Sequence, residues 1–136
     1  MSVHVTASEA ETASVGRALA ARLRPGIVVR VSGPLGAGKT AFVRGLAEGL
    51  GCNPEDVSSP TFTIVQEYAG PTRLQHVDLY RLSPAEVRDL ALDDLLDDAV
   101  MAVEWPDRWL DAPAESIEGV IEVVGEGERR IVIGEE

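Results

Sequence analysis

The chain has one cysteine, few basic residues and no long apolar run. Cys52 has no second cysteine with which to form an intramolecular disulfide. Twelve Lys and Arg residues stand against 23 Asp and Glu residues, and the net charge of −11 opposes nonspecific binding to nucleic acid or to an anionic membrane. We see neither a charged leader followed by an apolar segment nor an apolar stretch long enough to cross a bilayer. We therefore expect a cytoplasmic protein that reaches RNA only through a basic partner.

The length and the apolar content limit the number of domains. With 136 residues, 45% of them hydrophobic, the chain can enclose one core and has no room for a second domain of ordinary size. We therefore predict a single domain over residues 1–136.

Residues 33–40 have the pattern G-x-x-x-x-G-K-[ST] of a phosphate-binding P-loop, directly after the apolar run 27–31. Its glycines let successive backbone N–H groups point at the phosphates of a nucleotide. Lys39 would reach the β- and γ-phosphates, and the hydroxyl of Thr40, at the start of the next helix, would bind Mg²⁺. The predicted nucleotide-binding residues of this loop are Gly33, Gly36, Ala37, Gly38, Lys39 and Thr40.

The pattern along the rest of the chain predicts an α/β fold. Ser8 with Glu11 begins a helix, and apolar residues from Phe42 to Leu50 mark the helix that follows the P-loop. The predicted strands are 27–31, the hairpin 61–68 and 73–79, the parallel strand 99–103 beside the P-loop strand, and the pair 118–124 and 129–133 covering one edge. Together these elements predict a P-loop NTPase-like domain with a mostly parallel central sheet, helices on both faces and added antiparallel edge strands.

Two acidic residues at predicted strand ends are candidates for holding Mg²⁺. Glu104 follows the apolar run 99–103 without a break, which places its carboxylate at the sheet edge from which the P-loop starts. Asp78, after the strand-like stretch 73–77, is the second candidate, for a catalytic or a metal role. Each carboxylate could instead be an ordinary strand-end side chain. His76 is more typical of a strand residue with a satisfied ring than of a general base.

Four segments together resemble the bacterial TsaE (YjeE) family. They are Gly33-Pro34-Leu35-Gly36-Ala37-Gly38-Lys39-Thr40, Ser59-Pro60-Thr61-Phe62-Thr63, His76-Val77-Asp78-Leu79-Tyr80-Arg81 and Val103-Glu104-Trp105-Pro106. Their order, their spacing and the total length match that family over nearly the whole chain. The family is the ATPase component of the machinery that makes threonylcarbamoyladenosine (t6A) on tRNA, and it works bound to a TsaD–TsaB heterodimer.

The resemblance implies roles for individual residues in ATP hydrolysis. Lys39 and Thr40 are implied to hold ATP or ADP and Mg²⁺, and Glu104 to be the second magnesium ligand. Asp78 is implied to be needed for hydrolysis. Thr61 is implied to lie in a switch-like loop, where P-loop proteins place a threonine that senses the γ-phosphate.

The resemblance also concerns the walls of the nucleotide site. Trp105 is implied to line it. Pro34 departs from the family, which more often has Asp there, but the loop glycines are intact. The C-terminal strands match the family weakly, and an adenine-side contact from Arg129 or Arg130 stays an open alternative.

The reaction we expect is hydrolysis of ATP to ADP, slow in the isolated chain and stimulated by TsaD and TsaB. Transfer to tRNA would belong to TsaD, because this chain has neither a His-rich metal motif nor a basic surface. A small-molecule or nucleoside kinase is the main alternative, although no arginine-rich lid follows the P-loop helix. A GTPase would need an Asn-Lys-x-Asp stretch, which is absent. A nonenzymatic switch that binds ATP without turning it over is a further alternative.

Overall fold

A computed structural model describes residues 1–57, 64–113 and 115–135 of the chain. In these ranges the strands are β1 (Ser2–Thr6), β2 (Val28–Ser32), β3 (Val65–Tyr68), β4 (Arg73–Asp78), β5 (Ala99–Glu104), β6 (Ser116–Gly125) and β7 (Glu128–Glu135). The α-helices are α1 (Glu9–Ala20), α2 (Lys39–Gly49) and α3 (Pro84–Asp89), and short 3₁₀ helices cover Pro54–Asp56, Leu92–Leu95 and Pro106–Arg108.

The seven strands form one mixed sheet in the order β1-β7-β6-β2-β5-β4-β3. Strands β6, β2, β5 and β4 run parallel to one another, whereas the β1–β7, β6–β7 and β3–β4 pairings are antiparallel. The α/β class is confirmed, but the prediction of a mostly parallel sheet is wrong, since half of the six pairings are antiparallel. The reason is that the hairpins β3–β4 and β6–β7 have short connections, which permit only antiparallel pairing.

The position of the C-terminal hairpin also differs from the prediction. We expected it to cover an edge, but β6 lies inside the sheet, parallel to β2, with Val29 opposite Ile117. The edge strand on this side is β1, which pairs with β7 and which the sequence pattern did not predict. The five residues alternate polar and apolar side chains, but Val3 and Val5 are 51% and 67% exposed, so β1 has no buried apolar face and depends on its pairing with β7.

Helical elements cover both faces of the sheet. Alternation along β2 sends Val29 and Val31 towards α1 and α2, and Val28 towards the side of α3. Phe42 and Leu46 of α2 are fully buried on the first face, as their spacing predicted. In the described part of the chain, no helix has the length and apolar character needed to cross a membrane.

Candidate functional site

Three parallel strands end together at one edge of the sheet. The register aligns Val31 of β2 with Glu104 of β5, and Glu104 with Asp78 of β4. The P-loop begins one residue after β2 ends, so it starts beside both carboxylates. The prediction that Glu104 lies at the sheet edge from which the P-loop starts is therefore confirmed by the topology, and Asp78 lies at the same edge.

The P-loop turns sharply into the N-terminus of α2. Gly36 (φ 78°) and Gly38 (φ 100°) have left-handed backbone conformations, which glycine adopts without a steric penalty. Gly38 is the N-cap of α2 and has no side chain with which to cap the first N–H groups of the helix. Those N–H groups and the positive end of the helix dipole are therefore available to an anion.

Lys39, the only lysine of the chain, is buried behind the P-loop with 6% of its surface exposed. Its Nζ donates to the carbonyl of Gly33 at 2.6 Å and approaches that of Pro34 at 3.4 Å. The same Nζ lies 4.4 Å from the centre of the Trp105 ring. Burial lowers the pKa of Lys39, and the nearby carboxylates oppose that shift. The ammonium is thus held by neutral carbonyl oxygens, which charged phosphate oxygens could replace.

The two carboxylates differ in their surroundings. Asp78 is partly buried, and its Oδ1 accepts a hydrogen bond from the backbone N–H of Tyr80 at 2.9 Å. Burial raises the pKa of Asp78, with a smaller contribution in the same direction from Glu104. Glu104 is 5% exposed, and its Oε2 lies 2.6 Å from Nε2 of His76.

A cleft of about 850 Å³ joins these groups, a volume within the range of about 300–1,000 Å³ that is usual for small-molecule sites. Of the predicted site residues, the cleft is lined by Gly36, Ala37, Gly38, Lys39, Thr40, Asp78, Glu104 and Trp105. Gly33 lies outside it and lines a smaller cavity of about 210 Å³ together with Trp105. Thr61 falls in 58–63, outside the described residues.

Trp105 forms one wall of the cleft in an unusual backbone conformation. Its φ of 58° and ψ of 52° are left-handed, which is uncommon for a residue other than glycine. Its ring centre lies 5.0 Å from that of Tyr80 and 5.8 Å from the guanidinium carbon of Arg108. Arg108 in turn donates to the carbonyls of Leu79, Tyr80 and Leu82. The wall is therefore an aromatic pair with two cations, Lys39 and Arg108, close to its rings.

Comparison with known proteins identifies the family. The model of the family described as threonylcarbamoyl adenosine biosynthesis protein TsaE matches residues 6–131. The chain belongs to the TsaE family. It is 42% identical over 129 residues to the tRNA threonylcarbamoyladenosine biosynthesis protein TsaE of Bacillus subtilis, covering 93% of this chain and 80% of that protein. It is 36% identical over 132 residues to the protein of the same name from Treponema pallidum, covering 95% of this chain and 97% of that protein.

A solved structure is similar along almost the whole length. The crystal structure of Bacillus subtilis YdiB superposes with a TM-score of 0.79 at 34% sequence identity, covering 98% of this TsaE chain and 84% of that one. The resemblance inferred from the four motifs is thus confirmed for the family. The roles of individual residues in this TsaE protein stay predictions.

Arg129 is a cleft residue whose contact the sequence did not predict. From β7 its Nε donates to the carbonyl of Ala37 at 2.9 Å and its Nη2 to that of Gly36 at 3.3 Å. The C-terminal hairpin therefore holds the P-loop from outside. Arg130, the other candidate for an adenine contact, is exposed and does not line the cleft. No local pattern could indicate the Arg129 contact, because its partners lie more than 90 residues earlier in the chain.

We expect Arg129→Ala to weaken nucleotide binding about three- to tenfold, because the P-loop loses a charged hydrogen-bond donor of roughly 1.5–3 kcal/mol and only part of that loss reaches the ligand. Arg130→Ala is the matched control, since it removes the same charge from the neighbouring residue without touching the loop. Titration calorimetry with ATP compares the two variants. Equal affinities in both variants would contradict a supporting role for Arg129.

The donor atoms at the cleft suit a magnesium ion that a nucleotide brings with it. Among the described residues, no group of three or more His, Cys, Asp and Glu side chains could hold a metal ion. Thr40 and Glu104 supply one hydroxyl and one carboxylate, which are hard oxygen donors of the kind that Mg²⁺ prefers. Mg²⁺ usually completes its shell with water and substrate phosphates, so these two residues fit a nucleotide-bound ion.

Proposed function

We propose that this TsaE family protein is a cytoplasmic, P-loop NTPase-like subunit that binds Mg²⁺–ATP and hydrolyses it slowly. In this proposal it acts on a TsaD–TsaB complex to sustain t6A formation on tRNA. The observation that carries the proposal is the convergence of Lys39 with the carboxylates of Asp78 and Glu104 in one cleft at the N-terminus of α2. This set combines a phosphate cradle, a buried cation and two acids.

Phosphate binding is assigned to the P-loop and to Lys39. The backbone N–H groups at the start of α2 would surround the β-phosphate. Lys39 Nζ would exchange the carbonyls of Gly33 and Pro34 for phosphate oxygens, which are stronger acceptors because they are charged. Thr40 and Glu104 would hold the magnesium ion, which neutralises phosphate charge when bound. ATP and ADP share these contacts, so both are proposed ligands.

Asp78 is assigned to the hydrolytic step. In that step a water oxygen forms a bond to the γ-phosphorus, the bond to the bridging β–γ oxygen breaks, and ADP leaves with that electron pair. The attacking water loses a proton. Asp78 can accept this proton, because its raised pKa makes its carboxylate a better base than an exposed one, or it can orient the water for attack. Thr61, from the family resemblance, stays a predicted contributor to this step.

The charge of the chain supports the involvement of partners. A net charge of −11 disfavours direct binding to tRNA, so the surface that selects tRNA is assigned to other subunits. The relatives from Bacillus and Treponema carry names that refer to tRNA threonylcarbamoyladenosine biosynthesis. We therefore assign the same pathway to this chain, with TsaD and TsaB as its partners and tRNA as an indirect one.

The test mixes purified TsaD, TsaB and this chain with Mg²⁺–ATP and measures phosphate release. Release should be slow from this chain alone and rise at least about tenfold in the mixture, because partner binding completes a site that is open to water in the isolated chain. The same mixture with a Lys39→Ala variant should show only background release. A kinase would instead form a phosphorylated small molecule without partners. The proposal fails if size-exclusion chromatography shows no complex and the partners do not stimulate release.

A further inference from the structure

His76 is a buried polar residue that the proposed reaction does not use. It lies in β4, in register with Gln66 of β3 and Ala102 of β5, and its side chain has no exposed surface. It does not line the cleft, so it has no route to a nucleotide or to the attacking water. Direct catalysis by His76 is therefore excluded by its position.

Both ring nitrogens of His76 have partners. Nε2 lies 2.6 Å from Oε2 of Glu104, and Nδ1 lies 3.3 Å from the hydroxyl of Tyr68. That hydroxyl donates to Oε1 of Gln66, and the Tyr68 and His76 ring centres are 6.1 Å apart. The Glu104 carboxylate on one side and the Tyr68 hydroxyl on the other restrict the plane of the imidazole, so that Nε2 points towards Glu104.

Burying an imidazole at this position lowers the stability of the fold, and the need to fill space does not explain why a histidine is there. Leu74, on the same face of β4 as His76, and Val77, on the opposite face, are both fully buried and apolar. A buried polar ring is tolerated only when its nitrogens are hydrogen-bonded, and each lost bond costs roughly 1–3 kcal/mol. A leucine would fill the space without that requirement, which indicates that the contact with Glu104 is the reason for histidine.

Of the four residues in this network, Gln66, Tyr68, His76 and Glu104, it is Glu104 that lines the cleft. Its Oε2 is engaged by His76, which leaves Oε1 for a ligand in the cleft. Carboxylates and imidazoles that bind metal ions are commonly held in place by such a second hydrogen bond, and losing that bond typically costs about 10- to 100-fold in metal affinity.

We infer that His76 is a positioning residue, which orients the carboxylate of Glu104 towards the metal ion of Mg²⁺–ATP, with Tyr68 holding the imidazole from its other side. This inference rests on the proposed function, in which Glu104 is a magnesium ligand. It predicts a defect in the use of Mg²⁺ and none in the binding of metal-free ATP.

The test compares three variants. His76→Leu removes the hydrogen bond and keeps an apolar filler, and His76→Gln keeps a side-chain N–H that can reach Glu104. Tyr68→Phe removes the hydroxyl that contacts His76 and Gln66 and leaves the contact between His76 and Glu104 in place. Titration calorimetry measures the Mg²⁺ concentration that gives half-maximal binding of ATP. ATP affinity in EDTA and the thermal unfolding temperature are measured on the same samples.

We expect His76→Leu to raise the half-maximal Mg²⁺ concentration about 10- to 100-fold, with ATP affinity in EDTA unchanged. His76→Gln should return the value to within about threefold of wild type, and Tyr68→Phe should raise it by a few-fold, since the ring is then held from one side only. If His76→Leu does not fold, Tyr68→Phe and His76→Gln still decide the matter. A normal Mg²⁺ requirement in Tyr68→Phe, together with a loss of ATP affinity in His76→Gln that is as large in EDTA as in the presence of Mg²⁺, would overturn the inference.

A Glu104→Gln variant separates this inference from the proposal on which it rests. An unchanged Mg²⁺ requirement in Glu104→Gln would remove Glu104 as a metal ligand, and the proposed metal site would fail. A raised requirement in Glu104→Gln with a normal one in folded His76→Leu would overturn the positioning role alone. Loss of thermal stability without any change in the Mg²⁺ requirement would likewise reduce His76 to a packing residue.

Discussion

Replacing Lys39 by alanine is expected to lower ATP affinity about 10- to 100-fold, because a charge-assisted contact worth roughly 1.5–3 kcal/mol is lost. Lys39 is the only lysine of the chain, is buried, and interacts electrostatically with both carboxylates of the cleft. Its carbonyl partners in the P-loop are replaceable, so the fold should survive. Titration calorimetry with Mg²⁺–ATP measures the loss.

Lys39→Met is the matched control for packing. Methionine keeps an unbranched stem beside Trp105 but has no charge, so it should lose as much affinity as alanine while unfolding closer to the wild-type temperature. Unchanged ATP affinity in folded Lys39→Ala protein would show that residues 33–40 are not the phosphate site.

The second large effect separates the two acids at the strand ends. Asp78→Asn should reduce phosphate release by about 10²- to 10⁴-fold, the usual contribution of a general base, with ATP affinity nearly unchanged. Glu104→Gln should instead raise the Mg²⁺ concentration needed for binding. Binding and single-turnover release, measured on the same preparations, distinguish the two. An equal loss of Mg²⁺ affinity in both variants would make Asp78 a ligand and contradict the division of roles.

The pH dependence of stability gives an independent check on Asp78. Burial raises the pKa of Asp78 in the folded state above its ordinary value of 3.8, so the unfolded chain loses this proton at a lower pH than the folded chain does. Ionisation of Asp78 therefore lowers the free energy of unfolding as the pH rises through the interval above 3.8. The full decrease is still present at neutral pH. Without nucleotide, Asp78→Asn should unfold at a higher temperature than wild type at pH 7, and the difference should shrink as the pH falls through that interval.

Local patterns were sufficient wherever function depends on a contiguous segment. Residues 33–40 predicted a glycine-rich turn between a strand and a helix, the apolar run 99–103 predicted a buried parallel strand beside β2, and Glu104 was placed at the sheet edge from which that turn starts. These inferences succeed because backbone conformation, helix start and strand burial are properties of neighbouring residues. The hairpin partners of β4 and β6 were likewise indicated by the short connections between them.

Local residue patterns were enough to place the glycine-rich loop 33–40, the central strand beside β2 and, through four motifs, the family. The packing of distant segments fixed the position of β6 inside the sheet and of β1 at its edge, the contact of Arg129 with the P-loop, and the contact of His76 with Glu104. Each of these joins segments separated by long stretches of chain, and the residue pattern of one segment carries no information about which distant partner it will meet. Strand order and side-chain hydrogen bonds across strands are fixed only when the whole core packs, because only then do the two partners come within a few ångströms of each other.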